Sequence, residues 1–200
     1  RIFEQHVAKH VKQILDITKG RTFILFTSYK MLNKVYNDLS SRYNDINLLR
    51  QGDKPRYDLL EEFKENDKSV LLGTLTFWQG IDVPGRALEC VIITKLPFAV
   101  PDDPVTEART ELIESRGGKP FLEYQVPQAI MLFKQGFGRL IRTNSDRGVV
   151  AVLDPRIKTR YYGRSFINAL PECRHTDNID DVNDFLKEDK DEVIESFGSL

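Results

Sequence analysis

The sequence predicts a parallel α/β sheet flanked by helices. Two observations carry that prediction. Short apolar, β-branched runs alternate along the chain with stretches whose apolar residues recur every three to four positions. The runs are apolar throughout rather than at every second position, as suits strands buried on both faces and joined by right-handed helical crossovers.

Taken in order, Phe3, Val7, Val11, Ile14 and Leu15 fall on one face of a helix that Gly20 would end. Thr22 to Thr27 (TFILFT) reads as the first strand, followed by a helix from about Met31 to Leu39 and a strand around Ile46 to Leu49. Pro55 suits the first turn of the next helix. Ser69 to Leu75 and Glu89 to Leu96 read as further buried strands, and Pro97, Pro101 and Pro104 mark a loop. A helix to about Ser115 ends in a turn at Gly117-Gly118. Pro127 can start a long helix with Ile130, Phe133, Phe137 and Leu140 inward, and Gly148 to Asp154 is the last strand. One domain is expected over residues 1 to 171, with a short acidic helical tail over 172 to 200. Arg1 enters a helical pattern at once, as a segment of a longer protein would.

Composition excludes several classes. The 200 residues are 40% hydrophobic and 30% charged, enough for a core and unlike a collagenous, low-complexity or disordered chain. No apolar run approaches the roughly 20 residues of a membrane helix, so no membrane partner is expected. Cys90 and Cys173 are too few for a disulfide scaffold, which points to a reducing, cytoplasmic setting. The formal net charge is -1, but residues 172 to 200 carry ten acids and three bases, so a body of +6 precedes a tail of -7.

Ligands of open α/β sheets gather beyond the carboxyl ends of the strands. The loops to inspect are therefore Thr27-Ser28-Tyr29, Gln51-Gly52, residues 73 to 85, residues 97 to 104 and Asp154-Pro155-Arg156. The densest holds Gly73, Thr74, Phe77, Trp78, Gly80 and Asp82, bringing hydroxyls, exposed amides, the single Trp and a carboxylate into a glycine-hinged turn suited to phosphate and ribose contacts. A second cluster is Gln135, Arg139 and Arg142, which on a helix form one stripe of an amide and two guanidinium groups able to clamp phosphate oxygens. Other chemistries find little support. No phosphate-cradling G-x-x-x-x-G-K-[ST] occurs, since Gly117-Gly118-Lys119 runs into Pro120. Gly136-Phe137-Gly138 has Ile141 where a dinucleotide fingerprint needs its third Gly. His6 and His10 lie one turn apart without a zincin's Glu, and adjacent Asp102 and Asp103 read as helix caps.

With the loops placed, residues 22 to 29, 73 to 85 and 135 to 142 (QGFGRLIR) resemble motifs IV, V and VI of superfamily 2 helicases, in order and spacing. The strings FWQGIDVPG, KLPFAVPDDPVTEAR, YQVPQAIMLFKQGFGRLIRTNSDRGVVAVLDPR and YYGRSFINALP resemble the DinG branch of the XPD/Rad3-like helicases, over about residues 20 to 171. The resemblance implies a RecA-like second motor domain of an ATP-driven machine that moves on single-stranded DNA. ATP and Mg²⁺ would be bound jointly with a first motor domain bearing the P-loop. Arg139 and Arg142 would be its arginine fingers, with Gln135 linking them to the nucleotide and Gly80 and Asp82 beside the ribose or those arginines. Thr27, Ser28 and Thr74 would contact strand phosphates, with Tyr29, Phe77 and Trp78 as stacking surfaces. Many relatives carry an iron-sulfur cluster in the first motor domain; this segment carries none of its cysteines. Other relatives carry a fused DnaQ-type 3′-5′ exonuclease, which leaves a nucleotide-sensing regulatory domain as the alternative.

Overall fold

The structure, a computed structural model, describes residues 2–74, 77, 88–99, 104–140 and 147–197, with side chains omitted for Ile2 and for 189–197. Strands β1 (Thr22–Leu25), β2 (Asn47–Arg50), β3 (Ser69–Gly73), β4 (Cys90–Ile93) and β5 (Val149–Val152) form one parallel sheet in the order β2-β3-β1-β4-β5. In register, Thr22 lies opposite both Val70 and Cys90, Asn47 opposite Ser69, and Cys90 opposite Val149. The expected parallel sheet is therefore present, with its central strands β1, β3 and β4 wholly buried.

Alternation along these strands divides the core in two. Phe23, Leu25, Leu71, Val91 and Ile93 point to one face, where helices α3 (Arg56–Glu65), α5 (Val126–Phe137) and α7 (Gly163–Asn168) supply Phe63, Phe133 and Phe166. Ile24, Phe26, Val70, Leu72 and Ile92 point to the other, where α1 (Ile2–Thr18) and α2 (Tyr29–Ser40) bury Val7, Val11, Leu15, Leu32 and Leu39. Residues spaced three and four apart on α1 are thus the inward stripe that the sequence suggests. Between α1 and β1 the chain turns at Gly20, whose φ is +150° and whose hypothetical Cβ would lie 2.2 Å from the Asp67 carbonyl oxygen. Only glycine fits there.

The elements are shorter than the sequence suggests, because the ladder ends where the chain bends out of the sheet. Pro55 is the N-cap of α3 rather than a residue of its first turn. After α4 (Pro104–Ser115), a π-helical turn, Phe121–Gln125, runs directly into α5 and was not anticipated. Nor were the short α6 (Arg156–Thr159) and α7. In the acidic tail the helix α8 (Ile179–Phe197) begins later than residue 172 and packs along α1. Its Ile179 joins the α1 and α2 side of the core, and Arg147 meets it with the guanidinium 4.5 Å over the Phe185 ring and 3.3 Å from Glu188.

Candidate functional site

The chain leaves β1 for β2 on one side and later crosses to β4 on the other, so β1 borders the point where strand order reverses. That is where an open sheet forms its ligand crevice. Three loops meet on this carboxyl edge. Thr27 and Ser28 follow β1, and Ser28 caps α2 by accepting the Met31 N–H at 3.4 Å. Tyr29 opens α2 with 53% of its surface exposed, whereas Thr74, just past β3, is buried.

Gln51, at the end of β2, ties them together. Its Oε1 accepts the Thr74 N–H at 2.6 Å and the Thr74 hydroxyl at 2.9 Å, while its Nε2 donates to the Tyr29 hydroxyl at 2.6 Å. An amide suits this position because it is acceptor and donor at once. Sequence reasoning placed Gln51-Gly52 in the right loop but gave it no role. The available signal was a long amide directly after a strand on the crevice edge.

The second cluster lies elsewhere. Gln135 is exposed on the last turn of α5, and the helix ends at Phe137 with Gly138 as its C-cap. Beyond it, the Arg139 N–H bonds to the Gly136 carbonyl at 3.3 Å and the Leu140 N–H to Phe137 at 3.1 Å. This three-residue spacing tightens the turn, so the expected straight helical stripe from Gln135 to Arg139 is not formed. Leu140 then packs on the other end of the sheet: a Cβ on Gly148, just before β5, would lie 2.7 Å from Leu140 Cδ1 and from the Glu89 carbonyl oxygen. With strands of four or five residues, roughly 13 to 17 Å of sheet separates the Arg139 turn from the Thr27, Ser28 and Thr74 edge. Trp78, Gly80, Asp82 and Arg142, and with them Asp102 and Asp103, fall outside the described residues.

A third feature is structural. Asp154, 2% exposed at the end of β5, accepts the Leu96 N–H at 2.9 Å, the Arg156 N–H at 3.0 Å and the Arg156 guanidinium at 2.6 Å. Burial alone would push this carboxyl up, but the guanidinium and the two backbone donors outweigh it and hold it below its ordinary value. The clamp pins the loop after β4, whose Phe98 ring lies beneath the Arg156 guanidinium at 5.2 Å and packs against Phe121, Tyr162 and Phe166. Burial pushes the Cys90 thiol up to about 12, which makes it a core residue without thiolate chemistry. Among the described residues no group of three or more His, Cys, Asp or Glu could hold a metal, and no helix is long and apolar enough to cross a membrane.

The five-stranded parallel sheet flanked by helices has a RecA-like helicase fold. The chain belongs to the helicase C-terminal domain family, which matches residues 11–173. It is 42% identical over 174 residues to the ATP-dependent DNA helicase YoaA of Haemophilus influenzae, covering 87% of this chain and 27% of that protein. It is 40% identical over 174 residues to the 3′-5′ exonuclease DinG of Bacillus subtilis, covering 84% of this chain and 19% of that one. A solved XPD helicase superposes on it with a TM-score of 0.65 over 83% of this chain and 30% of the other, at 21% identity, a likeness of fold. The resemblance to DinG-type proteins therefore holds, while the chain spans only 27% and 19% of the two curated relatives.

Proposed function

We propose that the chain is the second motor half of an ATP-dependent DNA helicase. The observation that carries this is the family match across residues 11–173, which takes in all three motif segments, and the naming of a 42% identical relative as an ATP-dependent DNA helicase supports it. In this reading residues 1 to 171 form the motor half, and the tail from 172 is an appendage.

Phosphoryl transfer from ATP to water needs the γ-phosphate held in line and its spreading charge neutralised by positioned cations. Arg139 and Arg142 supply that charge from this half, and Gln135 links them to the nucleotide. The P-loop and the Mg²⁺-binding acids come from the other motor half, because this sequence has no triphosphate cradle. Thr27 and Ser28 take strand phosphates at the carboxyl edge, joined by Thr74 once its hydroxyl gives up its bond to Gln51, with Tyr29 and Trp78 as stacking surfaces. Gly80 and Asp82 lie on the segment between the two functions and couple them. The strand contacts are sequence-independent, as a motor that steps along any sequence requires.

The test is Arg139→Ala in the full-length parent. ATP turnover should fall about 10³-fold or more while ATP binding is retained. Undiminished turnover would sink the finger role. The 200-residue chain alone should hydrolyse no ATP.

The Bacillus subtilis relative, named a 3′-5′ exonuclease, favours a second reading in which this half senses nucleotide and governs a fused nuclease. In that case the parent would not unwind DNA, and Arg139→Ala would abolish the response of its exonuclease rate to ATP.

A further inference from the structure

Strand β5 ends the sheet, with β4 as its neighbour in the ladder. Its lead-in, Arg147-Gly148, is gripped from both faces. Val150 and Val152 pack on the α5 side of the core and Val149 and Ala151 on the α1 side, so alternation turns Gly148 toward the first and Arg147 toward the second. On the α5 side Leu140, one residue past Arg139, fills the space that a side chain on Gly148 would take. On the α1 side the tail helix α8 takes Arg147, whose guanidinium stands 4.5 Å over the Phe185 ring and 3.3 Å from Glu188. Phe185 and Glu188 are three positions apart and so share one face of that helix. The lead-in is tied sideways as well: the Val149 N–H donates to the Glu89 carbonyl at 2.9 Å, and the Glu89 carboxylate holds Arg21 at 2.6 Å. The tail has anchors of its own in Ile179, which joins the core, and in Asp177, which pairs with Lys158. Helix α8 lies wholly beyond residue 173, where the family match ends.

A cation that must meet a γ-phosphate tolerates little displacement, since a misplacement of about 1 Å costs about a hundredfold in rate. The Arg139 turn is short and its seat is the first stretch of a strand at the end of the sheet, so what holds that stretch holds the turn. We propose that Arg147 is a positioning residue for Arg139, with α8 as the brace behind it: Phe185 and Glu188 fix Arg147, and Gly148 then offers Leu140 a fixed seat. Lifting the tail slows ATP turnover without loosening ATP binding. This rests on the finger reading of Arg139 above and adds Arg147, Phe185 and Glu188 to it.

The experiment measures steady-state ATP turnover of the full-length parent at saturating oligothymidylate, expressed per nucleotide site counted by titration with a fluorescent ADP analogue. Arg147→Ala should lower kcat about tenfold and leave KM for ATP within about twofold of the wild type, the pattern of an interaction felt in the transition state alone. Phe185→Ala should do the same, and the double variant should be no slower than either single one, because both remove one contact. Phe185→Tyr keeps an aromatic face for the guanidinium and should restore turnover. Arg139→Ala serves as the reference. If it abolishes turnover while Arg147→Ala and Phe185→Ala keep the wild-type kcat, the brace falls and the finger reading stands. A loss in these two variants that follows the number of nucleotide sites, with kcat per site unchanged, also overturns the brace, since the contact would then support folding alone. If Arg139→Ala itself keeps full turnover, both readings fall together.

Discussion

Asp154 shows how a residue can look functional in sequence and serve architecture. It sits at the carboxyl end of a strand, where ligands gather, yet both of its oxygens are occupied by Leu96 and Arg156. Replacing it with Asn removes the ionic partner of a half-buried guanidinium but leaves one acceptor, so Asp154→Asn should cost about 1 to 3 kcal/mol at neutral pH. The sign of its pH dependence follows from the lowered carboxyl. A native pKa below that of the unfolded chain adds stability that is complete above the unfolded value near 3.8 and is lost as pH falls through the native one. Urea midpoints of the wild type and the variant should therefore differ at pH 7 and converge below about pH 4. A gap that persists undiminished at pH 3 would mean that the clamp acts through shape and not charge.

The end of β3 is where element-scale packing controls the site. Gly73 has no side chain because Phe77 occupies the space one would fill, and Phe77 floors a cleft beside Gln51. Gly73→Ala must push Phe77 aside, with an expected loss of about 1 to 3 kcal/mol in urea denaturation and a weaker grip on single strands. Unchanged stability would show that Phe77 can relocate freely. This element also marks how far the sequence could be read. The five strands were legible because apolar runs such as Phe23-Ile24-Leu25 and Val70-Leu71-Leu72 must be buried on both faces. Thr27, Ser28, Tyr29 and Thr74 were legible as neighbours because strand ends in a parallel sheet share one edge. The Gln51 bridge was not, because it depends on β3 lying between β1 and β2, and local patterning does not encode strand order. Helical spacing does not predict the Arg139 turn, because α5 ends at Phe137 and Gly138 caps it in a right-handed conformation that the apolar pattern does not mark.

At the scale of the whole molecule, the near-zero net charge conceals a +6 body and a -7 tail. The structure shows that the two are in contact. The tail helix packs along α1 through Ile179 and meets Arg147, two residues before β5, through Phe185 and Glu188. Beyond β5, Lys158 of the body also pairs with Asp177 of the tail. A docked acidic helix lowers the positive potential of the body at any distance within a Debye length, which is about 30 Å at 0.01 M salt but about 10 Å at 0.1 M. Removing residues 172–200 should therefore raise affinity for oligothymidylate several-fold at 0.02 M salt, with the gain fading by 0.3 M. The same truncation uncovers part of the α1 face and removes the Arg147 contacts, so the melting temperature should fall. Equal affinities at low salt would show that the tail's charge does not act on strand binding and that the helix serves packing alone. A gain that persists undiminished at high salt would instead mean that the tail covers the binding surface physically, because steric occlusion, unlike a screened field, does not fade with added salt.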